Sequence, residues 1–387
     1  MSPTAIVVGG GIIGAVSAWA LHRDGVETLL LEAGRFGEES TGKSAAIVRC
    51  HYSNPEVVRM AVHSRHELAT LPLVLECEPV FHRTGWLFLV DEADAEVAME
   101  NAEMQEEEGV DLVDVEDLQE VLPGVDEEGI AYAVHEPNSG FADPVATTLA
   151  YVEELRRFGG DAREGTRVES IVVEAGKVQG VRVGGELHPC ETVVLAAGPW
   201  SGALARTAGL ELPVEIVREQ DVVFATAPEP TVPCAVSSQV DRVYLRPAPE
   251  YGEGHLLAGR GFPKDYEHVD PDAYDTSVDA EFEEDVRGRV TRRLPRLGGM
   301  SYAGGRVGMY DVTPDWHPIL GPAGEPEGLV LACGGSGHCF KLGPAIGELV
   351  ASSLTRRKHR FAEWQTFALS RFAEGRELRS TYGGNRG

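Results

Sequence analysis

At 387 residues the chain exceeds what one hydrophobic core organises, so about two domains are expected. Acidic residues outnumber basic ones 62 to 34, a net charge of −28, which excludes nucleic acid and anionic membrane surfaces as partners because both need a basic patch. No apolar run approaches the ~18 residues of a membrane helix.

The first apolar run has no basic region before it and breaks at once into glycines, so a cytoplasmic protein without a secretory leader is expected. The cysteines form no CxxC pair and no zinc-like cluster with histidine, so neither a metal centre nor a disulfide framework is expected.

In chain order, residues 4–8 are a short β-branched run of the kind a buried parallel strand shows. It leads directly into Gly9-Gly10-Gly11-Ile12-Ile13-Gly14, a G-x-G-x-x-G. A helix is predicted over 15–23, ended by Asp24-Gly25, and a second strand over 27–31 that closes on Glu32. The strand, glycine turn, helix, strand and terminal acid stand in the order a dinucleotide site requires. Gly9 permits the tight turn, Gly11 lets the backbone approach a pyrophosphate, and Gly14 lets helix and strand pack closely. The helix N-terminus offers N–H groups and a positive dipole end to the phosphates. Glu32 suits a ribose and would repel the 2′-phosphate of NADP.

A loop of small polar residues follows at 39–46, then Ile47-Val48-Arg49 and a helix over 55–71. Residues 79–139 are acidic and mixed, with a strand at 85–90. Thr192 to Trp200 reads as a buried strand ending in a small-residue turn. Short alternating strands are predicted between 213 and 309, at 221–226 and 243–246 among others. A last apolar run, 328–332, enters a glycine-rich stretch, and a helix starts near Gly343-Pro344, where proline is tolerated. The tail, 381–387, is expected to fray.

Together the opening GGGIIG with Glu32, the middle VVLAAGPW and the late SGHCFKLGPAIGE resemble the sarcosine oxidase, glycine oxidase and D-amino-acid oxidase group of FAD enzymes. The resemblance runs over nearly the whole chain. It implies an α/β fold in which a Rossmann-like FAD-binding domain, with a parallel sheet and the N-terminal βαβ unit, is built from 1–78, 139–213 and 310–387. A mostly antiparallel α+β substrate domain, 79–138 and 214–309, is interleaved with it. Cofactor contacts are implied for Gly9, Gly11, Ile12, Ile13, Gly14, Glu32, Ala33 and Arg35. Ser44 and Ala45 of the polar loop, Val168, and Ala197, Gly198 and Trp200 of the middle motif are implied too, with Gly335, Gly337, His338 and Lys341 from the late one.

The resemblance also implies the chemistry: oxidation of a small amino acid at its C–N bond, on a secondary or N-methylated amine, by hydride transfer to flavin N5 and hydrolysis of the imine. Arg49 and Lys341 match the cations that hold the substrate carboxylate, a guanidinium gripping it with two parallel bonds and an ammonium adding a point charge. A surface ion pair is the other reading of Arg49. Tyr310 either faces the substrate or belongs to the core, and His338 either shapes the loop or moves protons. The backbone N–H groups of Gly335, Ser336, Gly337 and His338 are expected to face the negative charge of a reduced flavin.

Gly308 stands where sarcosine oxidases carry the cysteine bonded to the flavin, so noncovalent FAD is expected. Cys339 replaces a glycine and is expected to be a packing residue. The oxidase branch places a lysine over the flavin; here residues 254–260 hold none, Leu256 matches that place, and Arg260 or His255 are the candidate substitutes. The electron acceptor is therefore oxygen or another compound. A 2-hydroxy-acid dehydrogenase and an FAD-binding subunit of a heteromeric dehydrogenase are the competing readings, and an oligomer is compatible with each.

Overall fold

The computed structural model describes residues 4–226, 232–262 and 264–382. Its first layer is a six-stranded sheet in the order Ile319–Pro322, Leu329–Cys333, Thr192–Leu195, Ala5–Val8, Thr28–Leu31, Asp161–Arg163. The pairings are parallel except that between Ile319–Pro322 and Leu329–Cys333. Ala5–Val8 and Thr28–Leu31 are buried along their whole length, which is why they read as unbroken apolar runs.

The first helix, Ile12–Arg23, begins directly after Gly11, three residues before the predicted start. It packs against Pro144–Arg157 and Gly343–Leu354. Small residues make this packing tight: a Cβ at Gly14 would lie 1.8 Å from the Gly9 carbonyl oxygen, and one at Gly347 would lie 2.9 Å from that of Val16.

The second layer is a nine-stranded sheet centred on Glu215–Ala225, a strand that starts six residues before the predicted 221–226. Ser301–Val312 pairs along one edge of it; His255–Arg260 and Glu267–His268 share the other. The sheet continues through Val243–Pro247, Ala235–Ser238, Trp86–Val90, Tyr132–Glu136 and Val113–Asp114. Strand alternation divides its side chains between two faces. Val222, Phe224, Leu245, Leu256 and Ala258 pack with Phe282, Val286 and Val290 of the helix Ala280–Arg293. Tyr244 and Leu257 point the opposite way, toward the loop at Ala45.

The tail expectation is corrected in part. Thr381 exchanges hydrogen bonds with Asn101 at 2.8 and 3.0 Å and Tyr382 packs on Phe88, so both are anchored; 383–387 lie outside the described residues. Among the described residues no helix is long and apolar enough to cross a membrane.

Candidate active site

The glycine turn, the ends of the parallel strands and the outward face of the second sheet enclose two adjoining cavities. The larger, about 680 Å³, runs along Gly9, Gly11, Ile12 and Ile13, past Glu32, Ala33 and Arg35, and is bordered by Val168, Ala197, Gly198 and Trp200. Ligands bind at the carboxyl ends of such strands because the glycine turn and the helix N-terminus converge there. The smaller cavity, about 180 Å³, lies between the two layers and shares Ser44, Tyr310, Gly337 and Phe340 with the larger.

The larger cavity has the features a dinucleotide needs. Gly9, at φ +108°, allows the turn to lie against the middle strand, since a Cβ there would come within 2.3 Å of the Ala196 carbonyl oxygen. Glu32 accepts hydrogen bonds from the Gly10 and Gly34 N–H groups at 2.6 and 2.7 Å, which fix its carboxylate at the cavity wall. Gly14 does not line the cavity; it brings helix and strand together behind it.

Three contributors were not singled out from the sequence. Thr41 accepts from the Ile12 N–H at 3.1 Å and so reaches the helix N-terminus. Asp272 accepts from the Trp200 indole at 2.9 Å and pairs with Arg167 at 3.1 Å, bordering the cavity from the second sheet's long excursion. Asp311 accepts from Gly334 and Gly335 at 2.7 and 3.1 Å. Burial lifts its carboxyl to about 6, although those N–H groups favour the anion.

Asp311 also corrects the expected set of flavin-facing donors. The Gly335 N–H goes to its carboxylate, the Ser336 N–H to its carbonyl, and the His338 N–H to the Gly335 carbonyl. Two of these donors tie the loop to the strand Ser301–Val312, and the third closes the loop on itself.

The smaller cavity holds Arg49, Ala45, His338 and Lys341. Arg49 donates to the His51 carbonyl and lies over the rings of Tyr52 and Trp86, at 4.8 and 5.6 Å. Lys341, buried, donates to the His338 carbonyl at 3.2 Å and lies 5.7 Å from the centre of the same Tyr52 ring. Among the described residues neither cation meets a carboxylate. Burial, then the charge of Arg49, lowers the Lys341 ammonium to about 7. The structure thus brings together two cations 292 residues apart in sequence, and Arg49 forms no surface ion pair.

His338 has both ring nitrogens engaged: Nε2–H donates to the Trp316 carbonyl, which leaves Nδ1 to accept from the Tyr52 hydroxyl at 3.3 Å. Burial and the neighbouring Lys341 keep it far below the usual histidine range, hence neutral. Of its two readings the geometry favours loop shaping. Tyr310 borders both cavities and lies within hydrogen-bonding reach of Tyr244, whose hydroxyl donates to the buried Asp221 at 2.6 Å.

The match of Leu256 to the place over the flavin is corrected. Leu256 belongs to the core under the helix Ala280–Arg293, and the neighbouring Leu257 faces the loop at Ala45. Arg260 is turned the same way as Leu256 and pairs with Asp285 at 2.7 Å, and His255 Nδ1 bonds back to Gly252 at 3.1 Å. Lys264, just beyond this strand, pairs with Glu219 at 2.6 Å and lines neither cavity.

A family model described as FAD dependent oxidoreductase matches residues 4–353. The chain belongs to that family. It is similar to glycine oxidase of Pseudomonas putida strain KT2440, 31% identical over 365 residues and covering 92% of this chain and 95% of that one. Monomeric sarcosine oxidase of Bacillus sp. strain B-0618 is 26% identical over 364 residues, covering 89% and 90%. Among solved structures, L-proline dehydrogenase from P. horikoshii superposes with a TM-score of 0.89 at 27% identity, covering 98% of this chain and 99% of that one.

The protein is therefore an FAD-dependent oxidoreductase of the glycine and sarcosine oxidase type. Gly308 offers no side chain to bond the cofactor; Lys43 lies 3.0 Å from where its Cβ would stand. Acid precipitation is expected to leave a white pellet and a yellow supernatant. A yellow pellet after washing would contradict noncovalent binding.

Proposed function

We propose that this flavoenzyme oxidises the C–N bond of a small amino acid bearing a secondary or N-methylated amine, with Arg49 and Lys341 holding its carboxylate. The observation that carries this reading is the pair of cations in the smaller cavity, neither in an ion pair among the described residues, beside a space that opens onto the cofactor cavity at Tyr310. Leaving buried charge unpaired is costly, so a site of this kind is built for an anion. The remaining walls include Trp86, Phe88, Tyr244, Trp316 and Tyr382, which suit an N-alkyl ammonium better than a strongly hydrated group.

FAD, when bound, supplies the hydride acceptor. The residues of the chain position the substrate. Arg49 grips the carboxylate and Lys341 adds a second charge. Both cations lie over the ring of Tyr52, which gives them a common neighbour. Neutral His338 anchors the loop that carries Lys341, through the Trp316 carbonyl. The aromatic walls limit the water around the reacting carbon, and the imine product hydrolyses after release. We also propose the interleaved boundaries given above, with the six-stranded layer carrying the cofactor and the nine-stranded layer covering the substrate.

Anaerobic bleaching of the bound flavin by sarcosine, glycine, proline, D-alanine and 2-hydroxyglutarate tests the reading. Bleaching by an amine is expected; bleaching by 2-hydroxyglutarate alone would replace the assignment with C–OH oxidation. Turnover by the purified single chain is expected, and its absence would favour a subunit of a heteromeric enzyme. Readmitting oxygen and measuring peroxide then identifies the acceptor.

Binding should also depend on pH in a defined sense. With Lys341 near 7 in the free site, the ammonium is present below that pH and lost above it. The dissociation constant of acetate, followed by the flavin spectrum, is expected to be flat below about pH 7 and to rise above it. A constant that stays flat to pH 9 would remove Lys341 from the anion site.

A further inference from the structure

The family model ends at residue 353, yet the chain continues across the site. After the helix Gly343–Leu354 it returns to the first sheet, where Trp364 packs on Gly321 so closely that a Cβ there would lie 2.3 Å from the indole. Arg371, wholly buried, then grips Asp315 through two nitrogens at 2.7 and 2.8 Å and donates to the His317 carbonyl at 2.8 Å. The Leu378 N–H reaches the same carboxylate at 3.2 Å. Further on, Ser380 bonds Ser53 at 3.2 Å and Thr381 bonds Asn101. Asp315 and His317 lie on the loop beside His338 and Ser53 lies four residues beyond Arg49, so the strand of chain is tied down on both sides of the smaller cavity.

The segment delivers Tyr382 into that cavity. Its hydroxyl meets His51 Nε2 at 2.5 Å, and its ring stands edge-on to Phe88 at 6.3 Å. His51 is the residue whose carbonyl takes the hydrogen bond from Arg49. One residue thus links the aromatic wall to the anion clamp, which sets the wall at a fixed place relative to a bound carboxylate.

We propose that the C-terminal segment completes the substrate pocket and that Tyr382 determines how large an α-substituent the enzyme accepts. The inference rests on the smaller cavity being the carboxylate site. Its logic is steric: a ring held at both ends leaves a bulky substituent nowhere to go, and removing it adds the volume of a phenol. Discrimination of roughly tenfold or more follows from excluding even small apolar groups from a fitted pocket.

The test uses the FAD-loaded full chain and two probes, acetate and benzoate, titrated against the flavin absorbance so that no turnover is needed. The ratio of the two dissociation constants cancels any common effect on the clamp. In Tyr382→Ala the benzoate to acetate ratio is expected to fall roughly tenfold. In Tyr382→Trp it is expected to rise, and in Tyr382→Phe, which keeps the ring but loses the bond to His51, it should lie between wild type and the alanine variant. The tryptophan variant carries the test by itself if the alanine variant does not fold. A wild-type protein that responds to both probes, with the same ratio in the variants, overturns this inference alone. A wild-type protein that responds to neither overturns the carboxylate site and the inference with it.

Discussion

Replacing Lys341 with methionine is expected to weaken acetate binding by about 100-fold at pH 6 and, in the same protein, to raise the melting temperature. Removing one partner of a buried, hydrogen-bonded charge pair costs about 2–5 kcal/mol of binding, which sets the first expectation. The second follows from the free site. Lys341 is buried without an ion-pair partner among the described residues, and burial together with the charge of Arg49 outweighs what the buried Glu136 offsets, so its ammonium opposes folding.

The sign can be read from the shift itself. The group moves from 10.5 in the unfolded chain to about 7 in the folded one. Its unfavourable contribution is complete below pH 7 and fades between pH 7 and 10.5, where the unfolded chain binds the extra proton. The methionine variant should therefore gain most in stability below pH 7 and nothing above 10.5. Methionine is close to lysine in shape and leaves no cavity. An unchanged acetate constant, or a melting temperature that drops at pH 6, would mean that the charge is matched by an anion within the protein itself. Sites that trade stability for binding are expected to respond in this opposed way.

The second large effect is expected at Gly14. A methyl group there would be 1.8 Å from the carbonyl oxygen of Gly9, a contact of backbone against side chain that no rotamer relieves. Helix and strand must part, and the N–H groups at the helix start move with them. Overpacking of flexible neighbours costs about 1–3 kcal/mol; here the neighbour is the glycine turn itself, so the Gly14→Ala protein is expected to be colourless and poorly soluble. The ratio of flavin to protein absorbance measures the first outcome. Gly288→Ala is the matching control, since it is exposed within the helix Ala280–Arg293 and its Cβ meets nothing within 4 Å. That change should keep the flavin and stabilise by about 0.5–1 kcal/mol. A yellow, fully folded Gly14→Ala protein would show that the turn has room to shift.

Read from residues 4–32 alone, the cofactor unit was nearly complete, because strand, turn, helix and acid interact over a span shorter than forty residues. Arg49 and Lys341 were legible as separate cations near recognisable motifs. Leu256 and Leu257 show where legibility stopped. The strand His255–Arg260 is covered on both faces, so its middle is uniformly apolar and carries no alternation to tell one face from the other. An assignment one residue out then places the wrong leucine at the cavity.

What the sequence by itself determined is the local chemistry: a dinucleotide turn whose Gly14 is dictated by contact with Gly9 inside one βαβ unit, and the acid Glu32 that closes the second strand. Only the tertiary structure decided which groups meet. Asp272 reaches Trp200 from 72 residues away, Tyr382 reaches His51 from 331 away, and Asp311 takes up the Gly335 and Ser336 N–H groups that were expected to face the flavin. Those pairings depend on how the two sheets are laid over each other. No periodicity or spacing within a segment encodes that arrangement, because the residues concerned are polar or aromatic singletons whose neighbours are supplied by other strands.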